Sequence, residues 1–94
     1  MYARITSVQV SPDKLEDATR IIQEAILTLK QANGFKGLLL LADRTTGKGQ
    51  LVALWETEAA MQASNSLRQE LPAKMAPLLV DTPTAEIYEV LAQA

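Results

Sequence analysis

The sequence predicts an α+β fold with the element order β-α-β-β-α-β, and three observations predict it. Residues 38–42 (Leu-Leu-Leu-Leu-Ala) and 51–54 (Leu-Val-Ala-Leu) are apolar runs separated by a glycine-bearing turn, which reads as a hairpin. Between residues 15 and 29 the apolar positions recur every three or four residues, the period of a helix with one buried face. The segments at the two ends, 2–10 and 84–91, alternate as half-buried strands do.

Each element follows in order. Residues 2–10 form a first strand with Ala3 and Ile5 on one face and Tyr2, Arg4, Thr6, Val8 and Val10 on the other. Ser11-Pro12-Asp13 is a helix start: a capping hydroxyl, a proline whose missing N–H costs nothing there, and an acid favoured by the dipole. Leu15, Ala18, Ile21, Ile22, Ala25, Ile26 and Leu29 then mark the inner stripe of the first helix, and Asn33-Gly34 ends it. A second strand spans 35–44, a loop 45–49, and a third strand 50–56. Thr57 caps a second helix whose inner edge is Ala60, Met61, Ser64, Leu67, Arg68 and Leu71. Pro72 is expected to break that helix, with a further helical turn before Pro77. Residues 84–91 close the sheet.

This order is the split βαβ, or ferredoxin-like, arrangement of a four-stranded antiparallel sheet with helices on one face. Its usual strand order, 4-1-3-2, puts the leucine-rich second strand at an edge. A strand that is apolar on both faces needs cover on both, and the chain's own helices reach only one. A second copy of the chain is the expected cover, so a homodimer is predicted.

Composition excludes more chemistry than it selects. Ninety-four residues with 48 % hydrophobic and 21 % charged content fit one globular domain, 1–94. A net charge of −2 argues against nucleic acid or anionic membrane as partner. No run approaches a membrane span and no signal peptide opens the chain, so a cytoplasmic location is expected. With no cysteine there is no thiolate nucleophile or ligand. With no histidine there is no Ser-His-Asp or Cys-His pair and no imidazole metal site. Carboxylates, Tyr, Lys, Arg and amides remain for acid–base work.

The chain resembles the antibiotic biosynthesis monooxygenase domain family of dimeric α/β-barrel proteins. The matching features are Ser11-Pro12-Asp13, Gly34-Phe35-x-Gly37 before a leucine-rich strand, Asp43-Arg44-x-Thr46-Gly47 in the hairpin, and Leu54-Trp55-Glu56-Thr57-Glu58-Ala59-Ala60-Met61 at the strand-to-helix junction. The resemblance implies a homodimer with two facing sheets, and a cleft in each protomer between sheet and helices. It also implies oxidation of a small aromatic or quinol-like substrate by dioxygen with no cofactor. Haem-degrading members use an iron-ligating histidine on the second helix. This chain has none, which argues against that mechanism.

Site candidates follow from the same resemblance. Trp55 matches a tryptophan that lines the cleft, where an indole can stack on a ligand and donate a hydrogen bond, its alternative being a core residue at the junction. Asn65 is a candidate oxyanion donor and Arg68 a candidate anion holder, each otherwise an exposed helical side chain. Tyr88 is a candidate acid–base group, and it is expected to share a face with Arg4 and Glu86 as a polar cluster between sheets. Gly47-x-Gly49 is too short for a phosphate loop, and Asp43, Glu56 and Glu58 lack metal-ligand spacing. No metal is therefore expected. The rival to catalysis is a non-catalytic small-molecule-binding or structural dimer.

Overall fold

The computed structural model describes residues 1–65 and 70–94, and the side chains of all these except Glu70. Four strands, β1 (Tyr2–Gln9), β2 (Phe35–Ala42), β3 (Lys48–Trp55) and β4 (Thr84–Glu89), form one antiparallel sheet in the order β2-β3-β1-β4. This is the expected order, with β2 at an edge. Helices α1 (Leu15–Leu29), α2 (Glu58–Ala63) and α3 (Glu70–Met75) complete the βαββαβ frame.

The helix face of the sheet follows from register. Arg4 lies opposite Ala53, and Ala53 opposite Leu38; Tyr2 lies opposite Trp55, and Trp55 opposite Phe35. Directly paired residues share a face, so all these point toward the helices. Phe35 and Leu38, three apart, would normally face opposite sides. A bulge between Phe35 and Gly37 inserts the extra residue that brings both inward. Ala18, Ile22 and Met75 form one buried cluster beneath Leu38, Leu40 and Leu51, and Leu29, Trp55 and Met61 form another.

The opposite face is apolar and uncovered. Leu39 and Leu41 point there, 54 % and 48 % exposed, beside the partly exposed Val52, Leu54 and Ile5. The leucine run of β2 thus divides its side chains between a packed face and an open one.

Three local expectations are corrected. The first helix opens with a 3-10 turn, Pro12–Lys14, in which the Lys14 N–H donates to the Ser11 carbonyl (2.8 Å) while the Ser11 hydroxyl caps nothing. The second helix ends at Ala63, and Pro72 lies inside α3 rather than stopping a helix before it. Proline is tolerated in a first turn because no intrahelical bond is needed from its nitrogen. Finally, β3 begins at Lys48, because Asp43 folds the hairpin tightly by accepting from the Thr45 and Thr46 amides at 2.8 and 3.3 Å.

Candidate functional site

The cleft that the fold creates between the sheet and the helices is bordered by Arg4 and Thr6 of β1, Trp55 of β3, Leu38 of β2, Leu29 of α1 and Leu71 of α3. It is small, about 30 Å³. That is room for a water molecule or one oxygen-bearing group, far below the several hundred Å³ typical of drug-sized ligands. A larger groove of about 830 Å³ lies on the sheet near the hairpin, between Gln9, Asp43, Lys48 and Asp81. It is a shallow depression reaching the uncovered face, and no buried polar group among the described residues is left unpaired there.

Trp55 is placed by the last pair of the β1–β3–β2 ladder and by Thr57, whose hydroxyl accepts from the Ala60 N–H (3.0 Å) to start α2 directly after the strand. The indole is 1 % exposed, meets the Phe35 ring edge-on at 5.3 Å, and packs on Leu29 and Met61. It is both a core residue and a wall of the cleft. Its Nε1–H is buried and donates to no group among the described residues. An orphaned donor of that kind costs roughly 1–3 kcal/mol.

Arg4 is the residue whose place in the cleft sequence reading missed. It is 7 % exposed and makes no ion pair or hydrogen bond among the described residues. Burial lowers its pKa. The expected cluster with Glu86 and Tyr88 does not form, because Arg4 pairs with Ile87 and alternation sends Glu86 and Tyr88 to the open face. Arg4 sits instead with Tyr2 and Thr6, the face that alternation along the first strand does assign it. What alternation in one strand lacks is the register that pairs it with the next.

Tyr88 and Asn65 do not border the cleft. Tyr88 is half-exposed on the open face and donates to the Glu86 carboxylate, which raises its pKa chiefly through that hydrogen bond. Asn65 is exposed just past the end of α2, its backbone N–H donating to Gln62 (3.1 Å), and it does not border the cleft. Arg68 lies outside the described residues. Ser64, buried beside Met61, donates to the Met61 carbonyl at 2.6 Å and closes the end of α2.

A family model for the antibiotic biosynthesis monooxygenases matches residues 1–69, well over half of the chain. The chain belongs to the antibiotic biosynthesis monooxygenase family. An uncharacterized protein of Mycobacterium tuberculosis is 28 % identical over 93 residues, which are 98 % of this chain and 42 % of that protein. A second from the same organism is 31 % identical over 65 residues, 68 % of this chain and 28 % of that protein. The chain thus spans less than half the length of these relatives. Among solved structures, one from Nitrosomonas europaea, provisionally named for this family, superposes with a TM-score of 0.85 at 18 % identity, covering 98 % of this chain and all of that one. Another so named, from Caulobacter crescentus, gives 0.84 at 16 % identity, covering 97 % of this chain and 90 % of the other. These likenesses carry the fold. Among the described residues no helix is long and apolar enough to cross a membrane.

Proposed function

We propose that the chain is one subunit of a homodimeric, cofactor-independent monooxygenase acting on a small aromatic or quinol-like substrate in the Trp55 cleft. The observation that carries this is a buried indole wall with an unused N–H, in a family fold, beside a buried cation. Exclusion of water by a bound substrate would strengthen both groups as stabilisers of a substrate anion. That anion reduces dioxygen itself: the substrate carbon loses two hydrogens, one oxygen atom stays on carbon, and the other leaves as water. In this reading Trp55 contacts the ring and Arg68 remains the oxyanion-holding candidate, while Asn65, which does not border the cleft, would have to reach it from the end of α2. Tyr88, on the far side of the sheet within its own chain, could serve as an acid–base group only for a site that the dimer builds there.

Oxygen consumption over a panel of quinols and anthrones tests the proposal. Turnover that falls about tenfold or more in Trp55→Leu, the loss of one stacking and hydrogen-bonding group, supports it. Equal rates in native and variant protein, or none in either, overturn it.

One observation favours a second reading, a non-catalytic binding or structural dimer: the cleft is only about 30 Å³ and half of its lining residues are leucines. Saturable binding of an aromatic probe without oxygen uptake would select that reading.

A further inference from the structure

The chain has two asparagines, Asn33 and Asn65, and only Asn33 is followed by glycine. Residues 32–35 form a β-turn, closed by the Phe35 N–H donating to the Ala32 carbonyl at a long 3.3 Å. Gly34 has φ +83°, and no non-glycine among the described residues has a positive φ, so Asn33 and Gly34 occupy the central positions of a type II turn. The peptide joining them is the one whose N–H such a turn does not use. The Gly34 N–H donates to no group among the described residues. Asn33 is exposed, and its side-chain amide makes no hydrogen bond among the described residues either. It borders a surface hollow of about 360 Å³ with Thr57, Ala60 and Ser64, ample for water. A side-chain amide and the backbone nitrogen that can attack it are therefore both uncommitted beside solvent. Asn65 is followed by Ser66, and any side chain at that position hinders the same attack.

We propose that Asn33-Gly34 is a self-modifying site, at which the folded protein converts Asn33 through a succinimide to isoaspartate and so loosens α2 from the strand that carries Trp55. The Gly34 nitrogen bonds to Asn33 Cγ and gives up its proton; the Cγ–Nδ2 bond breaks, and ammonia leaves with that proton. Water then opens the imide. Cleavage on the Cγ side leaves aspartate, and cleavage at the Asn33 main-chain carbonyl leaves isoaspartate, with the chain running through Cβ and Cγ. One water enters and one ammonia leaves, so the step needs no oxidant or co-reactant. Isoaspartate adds a methylene to the backbone immediately before Gly34, which is closely fitted. A Cβ on Gly34 would lie 2.7 Å from the Ala60 Cβ, and its carbonyl accepts from the Glu56 N–H at 2.7 Å. Lengthening the turn there displaces both contacts, one on α2 and one just beyond the end of β3.

The test holds the intact protein at mildly alkaline pH, which favours the attacking nitrogen, and follows both asparagines by peptide mapping. Trypsin separates them, cutting after Lys30 and Lys36 around Asn33 and after Lys48 and Arg68 around Asn65. Position 33 is expected to convert at least about tenfold faster than position 65, because glycine leaves the attacking nitrogen unhindered. Its product should be mainly isoaspartate, read by methyl transfer from S-adenosylmethionine with an isoaspartyl methyltransferase. Each conversion adds one negative charge to a chain of net −2, so ion exchange isolates the converted protein. That protein should unfold at lower urea than freshly prepared Asn33→Asp, which carries the same charge on an unaltered backbone. Asn33→Gln, whose larger ring closes more slowly, should stay unmodified at that position. Conversion more than about tenfold slower in the folded protein than in urea would mean that the fold guards the turn, and overturns the proposal. A rate at position 33 no faster than at position 65, or a product that is aspartate alone, overturns it too. Equal urea midpoints for the converted protein and Asn33→Asp would remove the effect on α2.

Discussion

Gly34 sets how closely α2 approaches the strand pair that carries Trp55. Its φ is +83°, a conformation that L side chains rarely adopt, and a Cβ built there would lie 2.7 Å from the Ala60 Cβ. The Gly34 carbonyl also accepts from the Glu56 N–H at 2.7 Å, tying the end of α1's turn to the end of β3. Gly34→Ala is therefore expected to destabilise the protein by about 1–3 kcal/mol, measured by urea unfolding. An unchanged midpoint would show that α2 yields freely. Tyr88 makes a second prediction at this scale. Its pKa is raised by the hydrogen bond to Glu86, so folding favours the protonated phenol. That contribution is present below the ordinary tyrosine pKa and is lost as pH rises through the raised folded value. Ultraviolet titration should find one tyrosine ionising above 10, and Glu86→Gln should bring it back down. Trp55 was legible at this scale because one tryptophan at the end of an apolar strand has few places to go. Arg4 was legible only to its face.

Among the elements, the buried stripe of α1 was readable from its spacing, but its ends were not: the helix runs Leu15–Leu29, beginning after a 3-10 turn and stopping before Asn33-Gly34. Leu15, Ala18, Ile22 and Leu29 are buried, all of them positions the spacing selects. Ile22→Ala removes the largest fully buried side chain of that stripe and should cost about 2–5 kcal/mol. Thermal unfolding would show this as a melting temperature lower by roughly 4–8 °C per kcal/mol, and a shift of only a degree or two would mean that the helix carries less of the core than its burial implies. The second helical region was harder to read, because a proline can close one helix or sit in the first turn of the next, and sequence spacing does not separate the two. Pro72 does the latter. Thr57 was readable by contrast, since a capping threonine followed by an acid has one common meaning. Thr57→Ala removes the acceptor for the Ala60 N–H and should cost about 1 kcal/mol.

For the whole molecule, the two faces of one sheet have separate tasks. The helix face is packed and contains the cleft; the other carries Leu39 and Leu41 at about half exposure beside Ile5, Val52 and Leu54. A contiguous apolar sheet face is a poor surface to leave in water, and an antiparallel sheet covered on one side only is normally polar on the other. The sequence made this visible through a run of five apolar residues, but it could not show which members of the run faced which way, because that depends on the bulge after Phe35. The proposed homodimer follows from the uncovered members. Leu39→Glu with Leu41→Glu alters side chains that are half in water already, so each should change the stability of a lone protomer by no more than about 0.5 kcal/mol. In a dimer closed through this face the same pair would place two carboxylates per subunit in an apolar interface, and sedimentation should show the double variant as a monomer where the native protein is a dimer. A native protein that sediments as a folded monomer at micromolar concentration would remove the dimer while leaving the Trp55 cleft in place, since Arg4 and Trp55 face the other way.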